Sequence, residues 1–199
     1  MLVRPALVFM VLCGPLQAGS TLRVQGRDFS LSLTQPEGWT ADFESVGQIA
    51  NFVLYPQAAN WRDAEVVVFA RVLPRGRDGS LEAFMEEDQK QFAGQCPYYE
   101  STPLELNIRG ERRFLVRRFD CPGVREEILA VTEVPGYLAA FVLTSGSGGG
   151  LENALSPLEE ILSSFAWERR DAERPEFRQA PSNHPHPPGP AREPDESGP

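Results

Sequence analysis

Three segments with strand character in the second half of the chain are separated by two Pro-Gly pairs, and this arrangement strongly constrains the fold. The segments cover residues 112–119, 125–134 and 137–145. Pro122-Gly123 lies in the first gap and Pro135-Gly136 in the second. Proline and glycine favour turns, and gaps this short favour antiparallel pairing of the strands on either side. The sequence therefore predicts an antiparallel meander in this region.

Earlier segments show two further strand patterns. Phe29, Leu31 and Leu33 alternate with serine, which predicts a strand with one buried face. Residues 66–70 are apolar without polar alternation, so we expect this strand to be covered on both faces. Residues 22–25 and the short apolar segment at residues 51–55 predict two additional strands.

Two helices are predicted from the residues that favour helix ends. Ser80 is suited to the N-cap of the first helix, and Gly94 is a natural end for it. The second helix is predicted to begin at Ser156, because Ser156 and Glu159 form a capping box and Pro157 is favoured at the first helical position. Together with the strands, these helices predict an α+β fold.

Residues 1–18 predict a secretory signal peptide. Arg4 is the only charge before a short apolar segment at residues 6–12. That segment is too short to span a bilayer, and Ala18 before Gly19 provides a small-residue cleavage site. We therefore expect the mature protein to begin at Gly19 and to be periplasmic or secreted.

Composition divides the rest of the chain into two parts. Residues 19–167 have the length and apolar content of one domain with its own core. Residues 168–199 are rich in proline and charge and poor in apolar side chains. Such a segment cannot bury enough surface to offset the entropy of ordering, so a disordered tail with polyproline II character is predicted.

The three cysteines depend on how the N-terminus is processed. Cleavage after Ala18 removes Cys13 and leaves Cys96 and Cys121, and an even pair in an exported chain predicts a disulfide bond. The alternative is that Cys13 is lipidated and becomes the N-terminus of a lipid-anchored envelope protein. Leu12 is larger than the residue that usually precedes a lipidated cysteine, but the alternative stays open.

Charge and composition argue against several functions. The formal net charge of −9 argues against nucleic acid as a partner and against attraction to anionic lipid. Beyond the signal, no apolar run approaches the ~18 residues of a membrane span, so no stable membrane insertion is expected. The only histidines, His184 and His186, lie in the tail. With Cys96 and Cys121 paired, we predict no catalytic triad, metal site or cofactor in the domain.

Two acidic clusters are the remaining candidates for catalysis. Residues 86–88 (Glu-Glu-Asp) and 126–127 (Glu-Glu) could supply the carboxylate pair of a hydrolase. Adjacent carboxylates more often form a solvated face, and that is the interpretation we favour here. A hydrolase would instead need a concave pocket that holds two carboxyl groups with perturbed pKa values.

Several segments together resemble the PsbP-like family. They are residues 29–39 (FSLSLTQPEGW), 80–84 (SLEAF), 135–137 (PGY), 143–145 (LTS) and 158–165 (LEEILSSF). The resemblance covers about residues 28–166 and depends mostly on core and turn positions. It implies an α/β/α sandwich around a central, mainly antiparallel sheet.

The same resemblance implies a non-catalytic role. The family includes accessory subunits of photosystem II, Ran-binding import factors and DcrB-like bacterial envelope proteins, which share binding or assembly roles. No partner-specific residue of these proteins can be carried over to this sequence. The expectation is an exported, monomeric, non-enzymatic binding or assembly-accessory protein of the cell envelope. Its partner, an envelope protein or a small ligand, is left open, and a carboxylate-dependent hydrolase is the alternative.

Overall fold

The computed structural model describes five stretches of the chain, residues 19–46, 50–57, 60–76, 79–145 and 150–170. The predicted signal peptide, with Cys13 and Ala18, lies outside the described residues. So does the predicted tail from residue 171 onward, including His184 and His186.

The described residues form ten strands and two helices. The strands are β1 Thr21–Gln25, β2 Phe29–Thr34, β3 Trp39–Asp42, β4 Phe52–Pro56, β5 Val66–Pro74, β6 Glu100–Pro103, β7 Leu115–Cys121, β8 Arg125–Val134, β9 Tyr137–Ser145 and β10 Ala166–Arg169. The helices are α1 Leu81–Gln95 and α2 Leu151–Ser164. The large sheet has the order β3-β4-β5-β9-β8-β7-β6, and the small sheet has the order β1-β2-β10. Every strand pair in both sheets is antiparallel.

The large sheet is buried on both faces. Along β8, Ile128 and Ala130 pack in the core that contains α2 and the small sheet, which we call the α2 face. Leu129 and Val131 point the other way and pack in the core under α1, which we call the α1 face. Helix, sheet and helix are therefore stacked in layers, and the predicted α+β class with an antiparallel central sheet is confirmed.

Strand β5 shows why an uninterrupted apolar run was required. Val66 and Val68 pack on the α2 face. Val67 points to the α1 face, where it packs with Val46 and with Trp61 from the segment before β5. The expectation that this strand is covered on both faces is confirmed. The Trp61 loop (residues 60–65) thus covers one side of the α1 face, while α1 covers the other.

Helix α1 is fixed at both ends. The Ser80 hydroxyl accepts a hydrogen bond of 3.1 Å from the Ala83 N–H, as the N-cap prediction requires. At the other end, Cys96 follows the helix and forms a disulfide with Cys121 of β7, with 6.0 Å between the two Cα atoms. This is the pair that the sequence predicts. Phe92 is buried one turn before the disulfide, so the C-terminal half of α1 is held firmly against the sheet.

The predicted start of α2 at Ser156 is wrong, because the helix begins at Leu151. Gly150 precedes it with a φ of 97°, a left-handed conformation that glycine adopts without strain. The additional turn buries Leu151 and Ala154 completely on the α2 face. This burial outweighs Pro157, which lies inside the helix and has no N–H to donate to the Asn153 carbonyl.

Strand β10 is a second feature that the local sequence pattern does not reveal. It pairs with β2 and places Glu168 and Arg169 in the small sheet, although composition alone assigns both residues to the tail. Trp167 stacks on Phe29 with 4.4 Å between the ring centroids. The small sheet therefore extends beyond residue 167, to Arg169.

Two substitutions test where α2 begins. We expect Ser156→Ala to change the free energy of unfolding by less than about 0.5 kcal/mol, because Ser156 lies inside the helix and not at its N-cap. Pro157→Ala should raise it by about 1–3 kcal/mol, because alanine restores the hydrogen bond to Asn153. Urea unfolding measures both. A loss of about 1 kcal/mol in Ser156→Ala would instead indicate an N-cap at that residue.

Candidate functional site

A groove crosses the α1 face of the large sheet between α1 and the Trp61 loop. It consists of two adjoining cavities of about 300 and about 590 Å³ that share Phe69 and Arg125. We call it the α1-face groove. The side chains that give the groove its charge and its aromatic surface are Phe69, Arg71, Asp88, Arg125 and Glu127 in the cavity beside α1, and Trp61 and Arg62 at the far end.

The period of the strands places charged side chains in the floor of this groove. On β5, Arg71 shares the α1 face with Val67 and Phe69 because side chains alternate along a strand. On β8, Arg125 and Glu127 occupy the same face in the same way. Glu127 lies opposite Thr144 of β9 and Phe119 of β7, in the interior of the sheet.

Helix α1 contributes Asp88 to the wall. Met85 and Phe92 are the buried residues of this helix, and Asp88 lies between them, three residues after one and four before the other. Residues at these spacings share one side of a helix, so Asp88 faces the sheet although its neighbours Glu86 and Glu87 are exposed. The groove therefore has carboxyl groups on both its wall and its floor.

Glu127 is the most perturbed titratable group of the groove. Only 13% of its side chain is exposed, and burial raises its pKa from 4.5 to about 7. The Arg125 guanidinium opposes this shift, while the negative charge of Asp88 adds to it. The Arg125 Nη2 and Glu127 Oε2 atoms are 4.0 Å apart, too far for a hydrogen bond. Arg125 consequently offsets only part of the cost of burying the carboxylate.

Asp88 has its pKa raised for the same reason. Burial is the main cause, and the positive charges of Arg71 and Arg125 act against it. Four side chains of the groove thus interact electrostatically, and each carboxyl group interacts with at least one arginine. They are Arg71, Asp88, Arg125 and Glu127. A pair of carboxyl groups with raised pKa values in a concave site is typical of functional sites.

Two arginines of the groove lie over aromatic rings. The Arg125 guanidinium carbon is 4.6 Å from the centre of the Phe92 ring. At the far end, the Arg62 guanidinium carbon is 4.5 Å from the centre of the Trp61 ring. A guanidinium held against an aromatic face keeps its charge while its N–H groups along the edge stay free to donate. Both ends of the groove can therefore offer donors to a ligand.

Two other cavities border α2. A polar cleft of about 390 Å³ beside α2 uses its polar groups internally, because the Asn107 N–H donates to Glu159 at 2.7 Å and the Arg109 N–H to Ser163 at 2.9 Å. A cavity of about 340 Å³ between Trp39 and α2 is mainly apolar. Within the described ranges, no group of three or more His, Cys, Asp or Glu side chains could hold a metal ion.

Sequence patterns alone identify half of this site and misinterpret it. Both acidic clusters are recognisable, but the preferred interpretation as a solvated face is wrong for Asp88 and Glu127. Arg71 and Arg125 are missed. The available signal is positional, since Arg71 continues the alternation of Val67 and Phe69. Cys96 of the predicted disulfide lies at the end of the helix that forms the wall, and its partner Cys121 lies at the end of β7.

Comparison with known proteins finds similarity only among solved structures. No family model and no curated protein matches the chain. The chain is similar to cyanobacterial PsbP (CyanoP) from Synechocystis sp. PCC 6803, with 16% identity, a TM-score of 0.47, and coverage of 77% of this chain and 96% of that one. It is also similar to LpqN of Mycobacterium tuberculosis, involved in cell envelope biogenesis, with 12% identity, a TM-score of 0.45 and coverage of 74% and 90%.

A third similar structure is the Ran-binding protein Mog1p of Saccharomyces cerevisiae, with 11% identity, a TM-score of 0.46 and coverage of 74% and 94%. Cyanobacterial PsbP and the Ran-binding Mog1p are proteins of the kinds that the sequence resemblance names. At these identities the similarity concerns the fold, and no residue of the α1-face groove is assigned from it. The molecule is an α+β protein with a charged groove on one face of its central antiparallel sheet.

The raised pKa of Glu127 predicts a pH-dependent stability. Between pH 4.5 and about 7, the unfolded chain loses this proton while the folded protein keeps it, so stability falls as the pH rises. From the size of the shift, the loss is on the order of 3 kcal/mol. We expect Glu127→Gln to remove this loss and to be more stable than the wild type above pH 7.

Urea unfolding at several pH values measures this contribution. Glu133→Gln is the matched control, because Glu133 is an exposed glutamate on the same strand. The control should retain the pH dependence of the wild type. Equal pH dependence in the wild type and in Glu127→Gln would contradict the assignment.

Proposed function

We propose that this chain is an exported, non-enzymatic binding or assembly-accessory protein whose ligand occupies the α1-face groove. The observation that carries this proposal is the groove itself. It buries two carboxyl groups and presents arginines over aromatic rings in one concave site. Burying charged groups costs stability, and a protein without a ligand for them would gain nothing from this arrangement.

Export to the periplasm or the exterior is supported by two independent features. Residues 1–18 have the pattern of a cleaved signal, with the cleavage between Ala18 and Gly19. The Cys96–Cys121 disulfide is the kind of bond that persists in oxidising compartments. Among the described residues, no helix combines the length and apolar character needed to cross a membrane. We propose a monomeric domain beginning at residue 19, followed by a disordered proline-rich tail.

Processing of the N-terminus is tested by the mass of the exported protein. We expect a chain that begins at Gly19, because cleavage follows Ala18, and that has no thiol available for alkylation before reduction. Intact-mass measurement with and without a reductant provides both results. A chain that begins at an acylated Cys13 would support the lipid-anchored alternative. Two alkylatable thiols in the native protein would contradict the disulfide.

A carboxylate-dependent hydrolase is the second candidate, and one observation favours it. Asp88 and Glu127 lie in the same groove, and the pKa of Glu127 is raised to about 7, which suits a general acid at neutral pH. The binding function is preferred because the described domain contains no histidine and its two cysteines are joined in the disulfide. A binding protein would release the bound molecule intact, whereas a hydrolase would release it cleaved.

Capture of envelope components by the mature protein tests the binding function and separates it from the hydrolase. We expect the wild type to retain a small molecule or peptide from an envelope extract, detected by native mass spectrometry. The double variant Arg71→Gln/Arg125→Gln should lose it, because both arginines line the groove. The matched control Arg23→Gln/Arg75→Gln removes arginines from exposed ion pairs elsewhere and should retain it.

The same measurement identifies the outcomes that contradict the proposal. Equal retention by the wild type and by the groove variant would place the ligand elsewhere. Recovery of hydrolysed fragments, lost in both Asp88→Asn and Glu127→Gln, would support the hydrolase instead.

A further inference from the structure

We propose that the α1-face groove binds a small organic anion with an apolar or planar part, and that it takes up the anion together with a proton. The proton resides on Glu127 and the anion contacts Arg125. This inference rests on the proposed binding function and names the class of ligand. It requires only that Glu127 and the ligand compete for the same guanidinium.

The geometry around Arg125 provides the competition. The carboxylate of Glu127 is its partner within the groove, but the 4.0 Å separation leaves room for a closer contact. On its other side the guanidinium faces the Phe92 ring, which supplies no carboxylate. Because 30% of the Arg125 side chain is exposed, a ligand can reach its N–H groups from the groove. A carboxylate, sulfonate or phosphate oxygen would form the shorter, charge-assisted hydrogen bonds that Glu127 does not.

The charges that face Glu127 determine how protonation changes the groove. Arg125 lies on the same strand and Asp88 acts on Glu127 from α1, while Arg71 of β5 lines the same cavity and acts on Asp88. The residues opposite it on β7 and β9, Phe119 and Thr144, carry no charge. With both carboxyl groups ionised, these four side chains are neutral as a set. With the proton on Glu127 they carry one net positive charge, which favours an anion.

Burial makes this proton available near neutral pH. The pKa of Glu127, raised to about 7, keeps the carboxyl group partly protonated there. Arg62 lies over Trp61 at the far end of the groove, where its charge also acts on Asp42, so Arg125 provides the positive charge for the anion. Binding of the anion would in turn raise the pKa of Glu127 further, because linkage between two ligands is reciprocal.

The groove floor selects the rest of the ligand. Phe69 lies where the two cavities join, and Val142 lies beside it in the cavity next to α1. These side chains offer an apolar surface directly next to Arg125. A ligand that places its anionic group on Arg125 therefore has its next atoms over Phe69. An apolar or planar group buries surface there, whereas a fully hydrated inorganic ion does not.

Benzenesulfonate is a suitable probe, because its planar ring matches Phe69 and its charge does not change with pH. Isothermal titration with the mature protein is carried out at about pH 5.5 and about pH 8.5, on either side of the Glu127 titration. We expect the wild type to bind at least about tenfold more tightly at the lower pH. Glu127→Gln should bind equally at both, near the low-pH affinity of the wild type.

Three controls locate the effect. Arg125→Gln should abolish binding at both pH values. Arg125→Lys keeps the charge and should weaken binding. If Arg125→Gln does not fold, Arg125→Lys is used in its place. Glu133→Gln should behave as the wild type, because Glu133 is exposed and outside the groove. Benzamidine, a cation of similar shape, should bind less tightly than benzenesulfonate at the lower pH.

Four results would overturn the inference. They are no binding of benzenesulfonate at either pH, pH dependence that persists in Glu127→Gln, binding that survives in Arg125→Gln, and equal binding of benzamidine. A fifth result would also overturn it, namely loss of the pH dependence in Asp88→Asn but not in Glu127→Gln, which would assign the proton to Asp88. If the groove variant Arg71→Gln/Arg125→Gln still loses the envelope component, the binding function stands and only the ligand class is wrong.

Discussion

Burial of the central strands on both faces is the constraint on which the rest of the molecule depends. Ile128 and Leu129 are adjacent on β8, face opposite sides of the sheet and are both fully buried. Each face of the sheet must therefore be packed against other elements, and these elements differ between the two faces. The α2 face receives a helix and a three-stranded sheet, whereas the α1 face receives one helix and the Trp61 loop. The groove is the part of the α1 face that neither cover reaches.

Because the groove is an uncovered part of an otherwise buried sheet face, its charged residues lower the stability of the fold but are still accommodated. Glu127 lies on an interior strand between Phe119 and Thr144, where only 13% of its side chain is exposed. The disulfide and the buried Phe92 hold α1 in place, so the helix cannot move aside to hydrate the carboxyl group. Below about pH 7 the carboxyl group keeps its proton instead, which costs less free energy than burying the charge.

The sequence predicts those features that depend on local rules, namely the meander with its Pro-Gly turns, the Ser80 N-cap and the alternation of β2. It fails where distant contacts decide. The start of α2 depends on burying Leu151 and Ala154, and no local signal outweighs the capping box at Ser156. β10 exists because Trp167 stacks on Phe29 of a strand far away in the chain. The groove depends on how α1 docks, which sequence spacing does not specify.

The pairing of Glu127 with Arg125 shows why a long ion pair is informative. A buried carboxylate that were only structural would be most stable in a short, hydrogen-bonded contact with its arginine. Here the two groups are 4.0 Å apart, and the guanidinium instead lies over Phe92. The Phe92 ring therefore orients the Arg125 guanidinium, and the Arg125 N–H groups do not form a hydrogen bond with Glu127. In the proposed site, the N–H groups of Arg125 are therefore available to a ligand, and they are most available when Glu127 is protonated.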